Sequence, residues 1–371
     1  IYTRLSNPTT QVFEDRVAAL EGGEAALACA SGMAAIFYAV VNVAQAGDNI
    51  LSSTKIYGGT STLFAHTLKR FGIETRFFDP QNPQELEKLI DDKTRLIYVE
   101  SISNPSIDVP QIEEIISLAK KHNILSCVDN TVPTPALFKP FEWGFDISVY
   151  SASKYLDGQG LNIMGVLAAK KNLNAFLKNN PRYPHFSTPD PTYHGLVYTN
   201  LPASAFVLRA RLGLLRDIGA VPSPFGSFLL IQGLETLALR MEKHSQSALS
   251  IAEFLQSHKK VKTVKYPGLK TDANYPLAQK YFKKGASGLL SFELESLEAA
   301  KTMVERAKIF SLVTNIGDSK SIFTHPASTT HRQLSDAELQ ACGVSKGLMR
   351  LSIGLENTQD LIQDLEQALD F

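Results

Sequence analysis

The regular alternation of strand-like and helix-like segments along the first 150 residues constrains the fold most strongly. Short apolar runs such as Leu96–Val99 and Ile124–Val128 have the length and composition of strands that are buried on both faces. Between such runs, segments such as Gly32–Ala44 place apolar residues at helical spacing. This alternation predicts an α/β fold in which helices cover a mostly parallel central sheet.

The second half of the chain predicts a change of domain. Residues 171–225 contain seven prolines and many aromatic residues, which predicts a long irregular segment. A long helix is predicted from Phe228 to His258, and further strands and helices follow it. We therefore predict a large domain over residues 1–225 and a smaller α/β domain over residues 226–371 that begins with the long helix. Because the chain starts at an isoleucine, we expect a further N-terminal segment before it.

Charge and composition argue against several classes of partner. Lysine plus arginine equals aspartate plus glutamate at 37 each, so the chain lacks the basic excess that nucleic acids and membrane surfaces attract. No apolar run reaches the roughly 18 residues of a membrane helix. The three cysteines are far apart and form no CxxC pair, which predicts buried thiols in a reducing cytoplasm and no metal site.

A lysine follows one of the predicted strands, at the edge of the sheet where ligands bind in parallel folds. Lys154 lies in Ser151-Ala152-Ser153-Lys154-Tyr155, just after the predicted strand Phe145–Val149. Burial would lower the pKa of the lysine amine and suit it to Schiff-base chemistry, while the serine hydroxyls could donate to a phosphate. A surface lysine is the alternative interpretation, since lysine is rarely buried.

Four other motifs also follow predicted strands. They offer a helix N-terminus for a phosphate, a tyrosine that could stack on a flat ring, an asparagine that could bond a phenolic oxygen, and an aspartate that could pair with a protonated pyridine nitrogen. Each alone has an ordinary explanation as a turn or a cap, but all of them together with Lys154 predict pyridoxal 5′-phosphate (PLP). The motifs are Ala30-Ser31-Gly32-Met33, Tyr57-Gly58-Gly59-Thr60, Glu100-Ser101-Ile102-Ser103-Asn104-Pro105 and Val128-Asp129-Asn130-Thr131.

With these motifs, the chain resembles the Cys/Met-metabolism family of PLP enzymes from Tyr2 to its last helix. The resemblance implies fold type I, the architecture of aspartate aminotransferases. It implies PLP on Lys154, ring stacking by Tyr57, and a pair between Asp129 and the pyridine nitrogen. Further cofactor contacts are expected from Ser31, Gly32, Met33, Asn104, Thr131, Ser151 and Ser153.

The resemblance also implies a site shared between subunits. Tyr2 and Arg4 look like the family's Tyr-x-Arg, which reaches into a neighbouring subunit to hold its phosphate. A homo-oligomer is therefore expected, as a tetramer built from two dimers. Arg350 matches the family's arginine for the substrate α-carboxylate, whose fork geometry suits a carboxylate. Asn315 and Thr330 are expected to contribute to substrate binding.

Within the family, residues 189–196, 315–321 and 325–331 look most like the sulfhydrylase branch. That branch implies replacement of the acetate of O-acetylhomoserine by sulfide or methanethiol, with Lys154 moving protons and Tyr57 assisting the leaving group. Cystathionine γ-synthase and the γ-lyases for methionine or cystathionine remain alternatives, although methionine γ-lyase usually has cysteine in place of Gly59. The segment Asp157–Gly160 departs from the Gly-Gly-His of many relatives. A non-catalytic subunit with the same fold is a remote alternative, because it would not need Lys154, Asp129 and Arg350.

Overall fold

The computed structural model describes residues 1–329 and 345–371. A seven-stranded sheet has the order β1-β7-β6-β5-β4-β2-β3. Neighbouring strands from β3 to β6 run parallel, and only β7 is antiparallel to both of its neighbours. The mostly parallel central sheet predicted from the sequence is therefore confirmed. The strands are β1 Ala25–Cys29, β2 Asn49–Ser53, β3 Glu74–Phe78, β4 Thr94–Glu100, β5 Leu125–Asp129, β6 Ile147–Ser151 and β7 Gly165–Ala169.

Helices cover both faces of this sheet, as the continuous apolar strands require. Leu96 and Ile97 of β4 point to opposite faces, and each is buried in a different hydrophobic cluster. The helix Ile112–Lys121 follows the same rule, because Ile112, Ile115, Ile116 and Ala119 form its buried face. The helices of this region are Pro8–Glu21, Gly32–Val41, Gly58–Thr62, Leu68–Arg70, Gln84–Leu89, Ile112–Lys121 and Thr134–Leu137, with a π-helical turn at Leu63–Thr67.

A smaller five-stranded sheet has the order β10-β11-β12-β9-β8 and is antiparallel except for the pair β10–β11. A third hydrophobic cluster, which includes Phe292, Leu351 and Leu365, packs against it. The strands are β8 Val261–Lys265, β9 Leu289–Leu294, β10 Ser311–Leu312, β11 Ile322–Thr324 and β12 Leu348–Ser352. The helices are Tyr275–Tyr281, Leu297–Arg306 and Thr358–Leu369.

Two segments between the sheets differ from the sequence prediction. The predicted long helix is divided into Pro224–Glu235 and Leu237–Ser257, because Thr236 leaves the helical region at φ −109° and ψ 6°. Residues 171–225 are partly helical rather than irregular throughout. This segment contains Leu173–Leu177, Ala205–Arg209 and Arg216–Ile218, a π-helical stretch at Ala210–Leu215, and short 3-10 turns at Pro184–Phe186, Pro191–Tyr193 and Tyr198–Asn200. Among the described residues, no helix combines the length and apolar character needed to cross a membrane.

Candidate active site

A cavity of about 700 Å³ lies between the two sheets. Its floor is formed at the carboxyl ends of β4, β5 and β6, where ligands bind in parallel sheets. Its other wall comes from the smaller sheet and the residues beside it. The predicted site residues that line it are Ser31, Gly32, Met33, Tyr57, Asn104, Asp129, Thr131, Ser151, Ser153, Lys154, Asn315 and Arg350.

Lys154 lies on a turn that directly follows β6. The turn is closed by a bond from the Lys154 backbone N–H to the Ser151 carbonyl at 3.2 Å. The ammonium group of Lys154 donates to the side-chain oxygen of Asn315. Burial lowers the pKa of the Lys154 amine, and the nearby charge of Arg350 lowers it further. A lysine in this state loses its proton more readily, so it can act as a nucleophile and as a base.

Asp129 lies at the end of β5 and is 8% exposed. Its carboxylate accepts from the Thr131 backbone N–H at 2.9 Å and from the Tyr98 hydroxyl at 3.3 Å. Burial raises the pKa of Asp129, and these bonds lower it only in part. Glu100 ends the neighbouring strand in register with Asp129, and burial together with the Asp129 charge raises the pKa of Glu100 well above its usual range. No cationic side chain of the described residues compensates either carboxyl group.

The N-terminus of the helix Gly32–Val41 forms a corner of the cavity that is suited to bind an anion. Ser31 caps the helix by accepting from the Ala34 backbone N–H at 3.1 Å, and the first N–H groups of a helix have no partner within it. A Cβ atom at Gly32 would lie 2.7 Å from the Cα of Ser151, so only glycine allows this approach. The backbone N–H of Ser151 in turn donates to the hydroxyl of Thr131 at 2.8 Å.

The hydroxyl of Ser153 is engaged within its own loop. It donates to the Met164 carbonyl at 3.1 Å and accepts from the Met164 backbone N–H at 3.0 Å. Ser153 lines the cavity, but in this arrangement its only proton is directed to Met164. A phosphate contact from Ser153 therefore requires that this bond be exchanged, and the contact stays a prediction.

Arg350 stands in the middle of β12 and is 5% exposed. Its guanidinium donates to Oδ1 of Asn104 at 2.9 Å, to the Asn315 carbonyl at 2.8 Å and to the Thr324 hydroxyl at 3.0 Å. Its Nε has no hydrogen-bond partner. Burial lowers the pKa of Arg350 to about 10, and none of its partners is a carboxylate. A buried guanidinium that has a free donor and faces the cavity is suited to bind a carboxylate ligand.

Tyr57 forms part of the open side of the cavity. It is 45% exposed and stands just before the short helix Gly58–Thr62. Its backbone N–H donates to Oε1 of Glu100 at 2.6 Å. A Cβ atom at Gly59 would lie 2.5 Å from Cε1 of Tyr57, so the position of the ring depends on the absence of a side chain there.

Two predicted residues, Tyr2 and Arg4, lie outside this cavity. Tyr2 is 56% exposed, and its hydroxyl accepts from Nε of Arg4 at 3.1 Å. Arg4 also donates to the carbonyl of Arg216 at 2.7 Å, and neither Tyr2 nor Arg4 lines the cavity of its own chain. Their predicted role in a neighbouring subunit stays a prediction. Thr330 lies outside the described residues.

Glu100 and Asn162 are polar residues of the cavity that received no role from the sequence. Glu100 begins the Glu100–Pro105 motif, so its position directly after a strand was a usable signal, but its partners could not be inferred. Asn162 lines the cavity and has a buried amide nitrogen without a hydrogen-bond partner. It lies just beyond the Asp157–Gly160 segment that departs from the pattern of relatives, and no spacing rule singled it out.

The residues present fit PLP on the chemistry of their donors. The two uncompensated carboxyl groups at the ends of β4 and β5 match a protonated pyridine nitrogen, which would bring the missing positive charge. The helix N-terminus at Gly32 matches a phosphate. Lys154 provides an amine of lowered pKa for the aldehyde carbon.

Comparison with known proteins gives the same result from whole sequences. The profile of a family described as Cys/Met metabolism PLP-dependent enzyme matches residues 1–370. An O-acetyl-L-homoserine sulfhydrylase of Leptospira meyeri is 45% identical, in an alignment that covers 100% of this chain and 85% of that protein. A homocysteine synthase of Schizosaccharomyces pombe is 43% identical, over 100% of this chain and 87% of that protein.

A solved structure agrees with these sequence matches. It is that of a candidate O-acetylhomoserine (thiol)-lyase from Campylobacter jejuni, with 53% sequence identity and a TM-score of 0.98. The match covers 100% of this chain and 88% of that chain, and the structure contains N′-pyridoxyl-lysine-5′-monophosphate. The similarity therefore extends over both sheets and the cavity between them.

Proposed function

Since this chain belongs to the Cys/Met metabolism family of PLP-dependent enzymes, we propose that it is an O-acetylhomoserine sulfhydrylase. The reaction replaces the acetate of O-acetyl-L-homoserine by sulfide, which gives homocysteine, or by methanethiol, which gives methionine. The observation that carries the proposal is that Lys154 and Arg350 line one cavity, and that Arg350 uses three of its five N–H donors on neutral oxygens and none on a carboxylate. The choice of substrate is supported by the names of the full-length relatives.

The cofactor contributes one element of the chemistry. When bound, PLP supplies an electron sink that stabilises negative charge on the carbons next to the substrate nitrogen. Asp129 would keep a proton on the ring nitrogen, because a carboxylate beside that nitrogen favours its protonated form. Ser31, Gly32, Met33, Thr131 and Ser151 would hold the phosphate corner, and Tyr57 would lie against the ring.

Arg350 would fix the substrate by its α-carboxylate. The guanidinium is already oriented by Asn104, Asn315 and Thr324, so little ordering is needed when the substrate binds. With the carboxylate held there, the Cα and Cβ protons of the substrate would come within reach of Lys154.

Lys154 would move the protons. Its amine has a lowered pKa and a flexible four-carbon chain, so one group can remove a proton at Cα and then a proton at Cβ before acetate leaves. Once the sulfur nucleophile has added at Cγ, the same amine would return protons to both carbons. The side-chain oxygen of Asn315 accepts from this amine and would hold the amine in one position between proton transfers. Tyr57 would assist the departing acetate by donating from its hydroxyl.

We further propose a cytoplasmic homotetramer formed by two dimers. Tyr2 and Arg4 are exposed and lie outside the cavity of their own chain, which supports a role in a neighbouring subunit. Cys29 and Cys127 are both free, buried thiols, the state that a reducing compartment favours. Light scattering of the purified protein tests the tetramer, and an Arg4→Ala variant should bind PLP more weakly if Arg4 serves a neighbour's phosphate.

The proposed reaction is tested by mixing the purified PLP-loaded protein with O-acetyl-L-homoserine and sulfide and assaying homocysteine. Formation of homocysteine supports the proposal. Release of ammonia and a 2-oxo acid from methionine or cystathionine, without homocysteine synthesis, would move the function to a γ-lyase. Cystathionine formation from cysteine in place of sulfide would move it to a cystathionine γ-synthase.

A further inference from the structure

Glu100 connects two loops of the active site through one buried side chain. It ends β4 and is 5% exposed. Its Oε1 accepts from the backbone N–H of Tyr57 at 2.6 Å, and its Oε2 accepts from the backbone N–H of Asn104 at 3.1 Å. A carboxylate can accept at both oxygens at once, which is what this arrangement uses.

Each of these two loops carries a group that faces the cavity. The Tyr57 loop brings the tyrosine ring to the open side. The Asn104 loop brings Oδ1 of Asn104 to the guanidinium of Arg350 at 2.9 Å. The backbones of Tyr57 and Asn104 are therefore both hydrogen-bonded to the carboxyl group of Glu100.

We propose that Glu100 is a positioning residue, whose carboxyl group holds Tyr57 for the leaving group and Asn104 for the substrate-binding arginine. This inference rests on the proposed function, because it assigns those two loops to steps of that reaction. In this scheme Glu100 contacts neither the substrate carboxylate nor the leaving acetate. It acts through the backbone N–H groups of Tyr57 and Asn104.

The position of Glu100 beside Asp129 makes ionisation of either acid costly without a compensating positive charge. The two residues are paired in register on neighbouring strands, and no cationic side chain of the described residues compensates them. Bound cofactor would place a protonated ring nitrogen beside Asp129. That positive charge favours the ionised forms of both acids, in which Glu100 accepts most strongly from the two N–H groups.

Glu21 provides a matched control within the same region of the chain. It is fully buried at the end of the helix Pro8–Glu21, and its carboxyl group lies near the side chains of Ser148 and Asn130. It does not line the cavity. A change from Glu21 to Gln therefore alters a buried acid of the large domain without touching either loop.

The first experiment compares Glu100→Gln with Glu21→Gln in the PLP-loaded protein. A glutamine can accept with only one oxygen, so one of the two buried backbone N–H groups loses its partner. We expect kcat with O-acetylhomoserine and sulfide to fall roughly 10-fold to 100-fold in Glu100→Gln, with a raised KM for O-acetylhomoserine. The KM for sulfide and all constants of Glu21→Gln should keep wild-type values, with cofactor content measured by absorbance in each case.

A double-mutant cycle separates positioning from a general loss of structure. If Glu100 acts on turnover by holding Tyr57, the kcat loss caused by Glu100→Gln should shrink strongly in a Tyr57→Phe background. Equal losses in both backgrounds would overturn the proposal. If Glu100→Gln fails to fold or to bind PLP, Glu100→Asp keeps the charge but is too short for both loops. Glu100→Asp should likewise lower kcat and raise the KM for O-acetylhomoserine. Wild-type values of both constants would refute the role.

Failure of the proposed function can be told apart from failure of this inference. If the wild-type protein makes no homocysteine, the function assignment fails. The role of Glu100 is then read from the change in the cofactor absorption spectrum on titration with L-methionine. Glu100→Gln should bind this amino acid more weakly than wild type and Glu21→Gln, and equal dissociation constants would rule the inference out.

Discussion

The exchange of Arg350 for lysine tests the substrate-binding arrangement directly. Lysine keeps the positive charge but replaces the planar fork by a single ammonium group, which cannot reproduce three directed bonds and still offer a free donor to the substrate. Because Arg350 is 5% exposed, water cannot readily substitute for the lost donors.

The magnitude follows from the bonds that are lost. A hydrogen bond to a charged group contributes about 1.5–3 kcal/mol, and about 1.4 kcal/mol corresponds to a tenfold change in an equilibrium constant. If one such bond to the substrate carboxylate is lost, the dissociation constant of O-acetylhomoserine should rise roughly 10-fold to 100-fold. The effect should appear mainly in KM, because the bond is present before and during the reaction.

Steady-state kinetics and a spectral titration with O-acetylhomoserine in the absence of sulfide provide the measurement. Arg182→Lys is the matched control, because Arg182 also makes three bonds, to the carbonyls of His122, Asp91 and Thr94, and does not line the cavity. An Arg350→Lys protein with the KM and dissociation constant of wild type would refute the assignment of Arg350 to the carboxylate.

Three further results are expected. Lys154→Ala should abolish turnover and the absorption band of lysine-bound cofactor, and any retained turnover would contradict the role of Lys154. Gly59→Ala should displace the ring of Tyr57, since a Cβ atom would lie 2.5 Å from it, and lower kcat by up to about 100-fold while PLP remains bound; an unchanged kcat would contradict this. Burial raises the pKa of Glu21 from 4.5 to about 8, so the folded state binds more protons than the unfolded state within that range and stability falls as pH rises through it. The melting temperature of Glu21→Gln should therefore gain on wild type between these pH values, and a constant difference would argue against a buried neutral acid.

The periodic parts of the sequence predicted the fold well. The apolar runs that form β4 and β5 are buried on both faces. Because helices pack against both faces of the sheet, nearly every residue of these runs is apolar, which makes the runs visible in the sequence. Strand β7 was not predicted. It inserts between β6 and β1 as an antiparallel strand, and its pairing with β1 joins residues more than 100 positions apart. The break at Thr236 was also missed, since the hydrophobic pattern continues on both sides of it.

The site divides in the same way. The location of Lys154 and Asp129 in the cavity was predictable because each follows an apolar strand, where side chains of parallel sheets converge. The hydrogen-bond partners of Arg350 and Lys154 were not predictable. The bond between Arg350 and Asn104 joins positions 246 residues apart, and the bond between Lys154 and Asn315 joins positions 161 residues apart. No local pattern encodes such contacts.

The distribution of the site along the chain sets an order for its assembly during synthesis. The residues proposed to hold the cofactor in its own subunit lie between Ser31 and Lys154, whereas Arg350 follows about 200 residues later on β12. On a ribosome, where the N-terminal part of a chain emerges and begins to fold first, the lysine and its phosphate corner become available while the carboxylate anchor is still untranslated. A nascent chain could therefore capture its cofactor well before it can recognise an amino acid. A chain truncated before β12 would lack Arg350 and should therefore bind the cofactor without binding the substrate carboxylate.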